Sequence, residues 1–389
     1  MNRRLFTSES VTEGHPDKIA DRISDSILDS IFAQDPTARV ACETFVTTGL
    51  VMIGGEITTA AHPEYEKIAR HAIREIGYDK PEYGFSYDQC SILVAVHEQS
   101  ADINQAVAKD SAKDPFASIG AGDQGIMYGY ASSQTPELMP LPIMLAHGLV
   151  KRLAQARKER LLDYLRPDGK SQVTVEYEDR APKRVHTVVL SAQHHPDVSL
   201  NQLQQEITRH VIEPVLGQWL DSKTQMLINP SGRFVIGGPP GDTGMTGRKI
   251  IVDSYGGYGS HGGGAFSGKD PTKVDRSAAY MARYAAVNLV AAGLAKECEI
   301  QISYAIGKAD PIGVTVDTLG TGALPDDEIE TLLEKHFDFR PAAIIQQMGL
   351  RRPIYQVLSA YGHFGRSELN LPWEKRDKSV MLRKAAGIK

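Results

Sequence analysis

His261-Gly262-Gly263-Gly264-Ala265-Phe266-Ser267-Gly268-Lys269-Asp270-Pro271-Thr272-Lys273-Val274-Asp275-Arg276 is the stretch on which the reading of this chain turns. Gly263, Gly268 and Lys269 stand at the spacing of a G-x-x-x-x-G-K phosphate loop, but Asp270 replaces the Ser or Thr whose hydroxyl would sit on Mg²⁺. A P-loop fold is therefore set aside. The anion chemistry of glycine loops stays open, because bare backbone amides can close around phosphate oxygens while lysines add charge. The plainer alternative is a glycine-rich link between a strand and a helix. A long alanine-rich helix is expected from Pro271, which suits a first helical position.

The 389 residues are enough for two or three domains, and 41% hydrophobic content gives each an ordinary core. A net charge of −5 argues against a nucleic-acid partner held by bulk electrostatics, so an anionic ligand must be met by local cations. Cys42, Cys90 and Cys298 are far apart and form no C-x-x-C pair, which predicts buried free thiols in a reducing cytoplasm. Met1 to Glu9 lacks the apolar segment of a signal peptide. Ala278–Ala292, the best membrane candidate, is short and interrupted by Arg283, so it reads as a packed internal helix.

Upstream, Gly14-His15-Pro16-Asp17-Lys18 opens an amphipathic helix in which Ile19, Ile23, Ile27 and Ile31 recur every four residues. His15 and Asp17 thus sit at a helix N-terminus, which suits phosphate and a cation; a turn cap and a dipole partner are the plainer roles. Arg39–Val46 and Leu50–Ile57 read as a hairpin through Thr47-Thr48-Gly49. Glu43 alternates with Ala41 and Phe45, which puts a carboxylate on an apolar strand face, where it needs a cation or donors unless that face is solvated. Glu56 follows Gly54-Gly55 at a strand end. A helix through Tyr65, Ile68, Ala72, Ile73 and Ile76 and a strand Ser91–Val96 come next.

From Gln99 to Gly122 the periodicity stops, as in a lid or binding loop, and the run closes on Gly120-Ala121-Gly122-Asp123-Gln124-Gly125. Leu141–Leu162 reads as helix, Leu165-Arg166-Pro167-Asp168-Gly169-Lys170 as a turn, Gln172–Tyr177 and Arg184–Leu190 as strands, and Leu203–Leu216 as helix. A second glycine block, Gly237 to Lys249, carries Asp242, Arg248 and Lys249 into an expected strand Ile250–Asp253. Beyond the opening stretch come a strand Glu299–Ile306, a helix Asp326–His336 and a tail read mostly as loop. Strands with polar ends recur once per third, around Val94, Val188 and Ile302, so the expected class is α+β, three related units with sheets covered on one face by helices.

The glycine-flanked loops hold the acids Asp17, Asp123, Asp242 and Asp275 and the cations His15, Lys170, Arg233, Arg248, Lys249, Lys269 and Lys273. That pairing is what a magnesium polyphosphate demands, since carboxylates hold hard cations and lysine or arginine neutralises the remaining oxygens. No G-x-S-x-G elbow, placed cysteine or H-E-x-x-H appears, so any chemistry rests on positioning and electrostatics. At this level an ATP-dependent transferase, a polyphosphate hydrolase and a non-catalytic ATP-binding oligomer all remain open.

Gly14 to Lys18, Gly54-Gly55-Glu56-Ile57-Thr58-Thr59, the hexapeptide Gly120 to Gly125 and His261 through Lys273 resemble the signature segments of the S-adenosylmethionine synthetase (methionine adenosyltransferase) family, bacterial type. The likeness runs from Leu5 to Gly387. It implies three pseudo-symmetric, interlocked α+β domains with mixed sheets, at 1–105, 120–235 and 236–389, with a mobile loop near 99–122. It further implies a cytoplasmic homotetramer, a dimer of dimers with active sites shared between subunits. In the implied reaction the methionine sulfur attacks C5′ of ATP, and the tripolyphosphate released is hydrolysed to pyrophosphate and phosphate.

By the same resemblance, His15, Lys170, Arg248 and Lys269 are catalytic, with His15 near the breaking C5′–O bond. ATP contacts are implied for these and for Asp168, Gly169, Arg233, Phe234, Asp242, Lys249 and Ala265. L-methionine contacts are implied for Glu56, Gln99, Asp123, Asp242 and Lys273. Asp17 and Asp275 correspond to acids on two Mg²⁺ ions, and Glu43 to the residue that holds K⁺. Two departures stand out: residues 109–119 form a longer segment than in the bacterial members, and Thr243 and Met245 replace a small residue and Leu.

Overall fold

The computed structural model of the chain describes residues 3–99 and 114–388. Its first elements follow the periodicities closely: β1 (Arg3–Val11), α1 (Pro16–Phe32), β2 (Arg39–Thr47), β3 (Leu50–Thr58), α2 (Tyr65–Ile76) and β4 (Ser91–His97). The middle of the chain forms β5 (Gly125–Ser132), α3 (Leu141–Lys158), β6 (Leu165–Glu178), β7 (Ala181–His194), α4 (Leu200–Ile207), α5 (Glu213–Leu216) and β8 (Gln225–Ile228). The last part forms β9 (Gly244–Met245), α6 (Ile250–Asp253), α7 (Val274–Ala292), β10 (Glu297–Tyr304), β11 (Gly313–Asp317), α8 (Asp326–His336), α9 (Pro341–Met348) and α10 (Ser379–Ala385).

The described strands make three sheets, in the orders β4-β3-β2-β9, β1-β6-β7-β8 and β11-β10-β5. The β3–β4 and β7–β8 pairs are parallel within otherwise antiparallel sheets, while the β11-β10-β5 sheet is antiparallel throughout. Each sheet borrows one strand: β1 joins the sheet of β6 to β8, β5 joins that of β10 and β11, and β9 joins that of β2 to β4. The units therefore cannot separate without unpairing strands, which is the physical content of interlocking. Helices α1 and α2 cover the first sheet, α3 to α5 the second, and α7 packs on β5 and β10. Residues such as Val173, Val188 and Leu190 face Leu149, Leu153 and Leu203 in one core, and a second core runs continuously through the other two sheets.

Five expectations change. Pro167-Asp168-Gly169 is not a turn but the start of β6, where a register shift between Leu165 and Gly169 marks a bulge; β1 extends onto it through Thr12 N to Gly169 O at 2.9 Å. Ile250–Asp253 is one helical turn rather than a strand, since a short β-branched run carries no period of its own. The alanine-rich helix begins at Val274, because the Asp270 carboxylate accepts from the Val40 and Thr272 amides and so pins the preceding loop to β2 instead of capping a helix at Pro271. The tail holds α9 and α10, and Leu203–Leu216 includes a π-helical segment, Thr208–Ile212.

Candidate active site

At the N-terminus of α1 the backbone N–H of Asp17 donates to His15 Nδ1 at 3.2 Å, which leaves the ring proton on Nε2. Burial, helped by the charge of Lys249 against the opposing Asp17, lowers the His15 pKa to about 3, so the imidazole is neutral. Asp17 accepts from Lys249 Nζ at 2.9 Å and from the Met245 amide at 3.1 Å, and Arg248 Nε lies 3.9 Å away. Burial pushes this carboxyl up, but the Lys249 and Met245 hydrogen bonds outweigh it and hold it below the usual range. The β6 bulge turns Asp168 inward, where its Oδ2 accepts from the Gly238 amide at 2.9 Å and its buried Oδ1 has no partner among the described residues. Burial raises its pKa to about 6, against Gly238 and Lys170 and with Asp242. Gly169 continues the bulge, Lys170 is exposed opposite Val11, and Phe234 hydrogen-bonds through its backbone to His194; Arg233 and Asp242 are exposed.

The opening stretch builds a second group. Lys269 Nζ lies 2.6 Å from Asp275 Oδ2, and a Cβ added to Gly264 would come within 2.1 Å of Asp275 Oδ1, so only glycine leaves the carboxylate its place. Lys273 reaches Asp270 at 2.8 Å, and the Gly122 amide bonds Thr272 O at 3.2 Å, which brings the Asp123 loop alongside Lys273. Ala265 packs against Gly247, next to Arg248. The expectation of a backbone phosphate cradle fails at two amides: Gly263 N donates to His261 Nδ1 and Gly268 N to Asp25 Oδ1, each at 2.8 Å. Gly268, at φ 77°, instead permits close approach to Cys42 O.

Glu43 and Glu56 occupy the outer face of the β4-β3-β2-β9 sheet, opposite Gly54 and Ala41. Of the two readings left open for that face, an apolar one and a solvated one, it is open to solvent, and the core residues of β2 are Val40, Cys42, Thr44 and Val46. It is nonetheless apolar, for Met245, Phe45, Met52 and Leu93 form one row across all four strands, with Met52 43% and Leu93 54% exposed. Glu56 meets His97 at 3.3 Å, the Gln99 amide bonds Thr58 Oγ1 at 3.2 Å, and an isolated bridge from Ala41 to Lys269 joins this face to the second group. Residues 100–113 of the expected mobile loop, and with them 109–113 of the longer segment, lie outside the described residues, while 114–122 are described and include a 3-10 turn at Pro115–Ala117.

The sequence reading missed the scaffold beneath these groups. Asp17, Asp21, Asp25 and Asp29 recur every four residues on α1, and all accept backbone amides from distant segments: Asp17 and Asp21 from Met245 and Gly247 of one segment, Asp25 from Gly268, and Asp29 from Tyr355 with Gln356. Asp21 also takes Lys18 at 2.9 Å, and Lys18 bridges to Asp253; Asp25 holds Arg276 bidentately at 2.8 and 2.9 Å. The D-x-x-x-D spacing beside the isoleucine stripe was the available signal. Among the described residues no hydrogen bond or ion pair joins the Asp17–Lys249 group to the Asp275–Lys269 group, and no three acids, histidines or cysteines converge as a metal cage.

Residues 3–101 match the N-terminal domain of S-adenosylmethionine synthetase, residues 118–234 its central domain and residues 236–375 its C-terminal domain. An S-adenosylmethionine synthase of Desulforudis audaxviator (strain MP104C) is 58% identical over 391 aligned positions that cover 99% of each chain. The chain belongs to the S-adenosylmethionine synthetase family. It is a methionine adenosyltransferase, forming S-adenosylmethionine from ATP and methionine. A synthetase of this kind needs no nucleophilic Ser or Cys, and its Cys42, Cys90 and Cys298 are free and buried. No described helix is long and apolar enough to cross a membrane.

Proposed function

We propose that the synthetase works at a site assembled from two chains, one giving the Asp17–Lys249 group and the other the Asp275–Lys269 group. The observation that carries this reading is the pair of separate carboxylate–lysine couples, 2.9 and 2.6 Å, each with an acid and a cation and neither complete as a polyphosphate site. The open apolar row Met245–Phe45–Met52–Leu93, flanked by Glu43 and Glu56, supports a second copy of the chain seated on that sheet. A homotetramer built from such dimers, acting in the cytoplasm, completes the proposal.

The donor sets suit the metals. A single carboxylate such as Asp17 or Asp275, with phosphate oxygens and water as the other ligands, is how Mg²⁺ is usually held, and the lack of a three-ligand cage among the described residues argues against zinc or calcium. Glu43, opposite the side-chain-free Gly54, is open to a monovalent cation such as K⁺. When bound, Mg²⁺ supplies charge that offsets the developing negative charge of the leaving tripolyphosphate.

The protein's own part is orientation and charge. The methionine sulfur forms its bond to C5′ as the C5′–O bond breaks, and the electron pair departs on the tripolyphosphate oxygen. A thioether needs no base, so no proton has to be removed. Neutral His15 offers Nε2–H toward the departing oxygen, fixed in that tautomer by the Asp17 amide. Lys170, Arg248, Lys249 and Lys269 meet the phosphate charge, and they hold the product while water attacks a terminal phosphorus to give pyrophosphate and phosphate. Asp168 Oδ1, buried without a partner among the described residues, accepts a donor of the nucleoside, with Gly169, Arg233, Phe234, Asp242 and Ala265 around ATP. Glu56, Gln99, Asp123, Asp242 and Lys273 hold methionine. Incubation with ATP, methionine, Mg²⁺ and K⁺ should give a sulfonium product with pyrophosphate and phosphate; pyrophosphate formed equally without methionine would contradict this order of steps.

A further inference from the structure

His261 was singled out only as the first residue of the glycine stretch, yet its setting repeats that of His15. In both, a backbone amide two residues on donates to Nδ1, from Asp17 to His15 and from Gly263 to His261, so each ring carries its proton on Nε2. In both, a carboxylate assigned to Mg²⁺ lies beside the ring: Asp17 at 3.7 Å from His15, and Asp275 across a small pocket from His261. The difference lies at Nε2. His261 Nε2 is buried with no hydrogen-bond partner among the described residues, which is a cost unless something else accepts from it. The pocket it shares with Asp275, Gly262, Gly264, Tyr128 and Phe266 has ≈ 10 Å³ of free volume, about the room of one water molecule.

We infer that His261 is a positioning residue for Asp275: its Nε2–H, through one water in this pocket, holds the Asp275 carboxylate turned toward the polyphosphate side while Lys269 holds the other oxygen. The ring is locked by the Gly263 amide and by the Phe266 ring, whose centroid is 5.7 Å away, so the donor points one way only. Gly262 and Gly264 give the floor of the pocket, and a side chain at Gly264 would displace the carboxylate itself. The second half of the active site thus has a histidine that orients its metal acid, as the first half has His15 beside Asp17. The inference rests on the reading of Asp275 as a Mg²⁺ acid.

Two substitutions divide the ring's functions. His261→Asn keeps an acceptor where Nδ1 meets Gly263 and removes the donor at the pocket; His261→Gln keeps a donor near the Nε2 position and loses the acceptor. Both are measured in the full-length enzyme for kcat, for KM of ATP and methionine, for ligand-free Tm, and for calorimetric affinity toward Mg²⁺ with the non-hydrolysable imidotriphosphate, with Asp275→Asn as reference. The expected result is a ten- to a hundredfold loss of imidotriphosphate affinity and kcat in His261→Asn, with methionine KM and ligand-free Tm nearly unchanged and partial recovery in His261→Gln. If His261→Gln is the worse of the two, or if both lose ligand-free Tm and activity together, the ring only holds the loop and the inference falls. If Asp275→Asn itself leaves the affinity unchanged, the metal assignment fails instead, and the two failures are told apart.

Discussion

At the scale of single residues, Lys269 and Asp168 take different and separable jobs in the proposed site. Lys269 touches Asp275 at 2.6 Å and is only partly buried, so Lys269→Met removes charge from the leaving phosphates without opening a core. Its kcat is expected to fall about a hundredfold or more with Tm nearly unchanged, whereas an unchanged kcat contradicts its role. Asp168, with a pKa raised to about 6, is a full acceptor only above that pH. The half-saturating ATP concentration should therefore rise as pH drops through about 6, and Asp168→Asn should remove that dependence; a flat profile in the native enzyme speaks against the contact. Lys269 stood out because its glycine loop mixes charges, whereas Asp168 reads from the sequence only as a turn residue and takes its expected ATP role from the family resemblance. Asp21, Asp25 and His261 were not legible, since their meaning depends on Gly247, Arg276 and Asp275, most of them hundreds of residues distant or visible only as geometry.

At the scale of elements, α1 is the beam on which the loops of the site hang. Arg276 and Asp25 are both fully buried, so either Asp25→Asn or Arg276→Met should cost about 3–5 kcal/mol in urea unfolding, and the double replacement less than the sum. Additive costs would show that the two do not act as a pair. Asp29, the last acid of the ladder, accepts three backbone hydrogen bonds from Tyr355 and Gln356 but has no ion-pair partner among the described residues, and burial raises its pKa to about 6 from 3.8. The folded protein thus binds this proton more tightly than the unfolded chain, so the group's contribution to stability is full below pH 4 and is lost as pH rises to about 6. A rise from 3.8 to about 6 is worth about 3 kcal/mol at most. Asp29→Asn should raise Tm at pH 7.5 and match the native protein near pH 3; a lower Tm at pH 7.5 would mean that the amides stabilise the anion. The helix itself was plain from the isoleucine spacing. Ile250–Asp253 and Pro167-Asp168-Gly169 were misread because an apolar run of four residues and a Pro-Asp-Gly triplet fit more than one backbone, and tertiary contacts decided between them.

At the scale of the whole molecule, the α+β class and a threefold order were legible, while the exchange of β1, β5 and β9 among the sheets was not, since no local period reveals which strand a segment pairs with. That exchange places Met245 of β9 beside Phe45 and so extends the apolar outer face on which Glu43 and Glu56 stand. If Glu43 holds K⁺, Glu43→Gln should abolish the activation that K⁺ gives, and a full response in the variant excludes the site. The central claim is that each active site joins the Asp17–Lys249 group of one chain to the Asp275–Lys269 group of another. It is tested by dissociating Lys249→Met and Lys269→Met chains, each inactive alone, and letting them reassociate at equal concentration. In a mixed dimer one site collects both damaged halves and the other collects both intact halves. Random pairing then restores about a quarter of the native activity, the fraction expected when half of the dimers are mixed and each has one working site. A mixture that stays as inactive as its parents, with mixed dimers present by mass spectrometry, would place both groups in one chain's site and contradict the account.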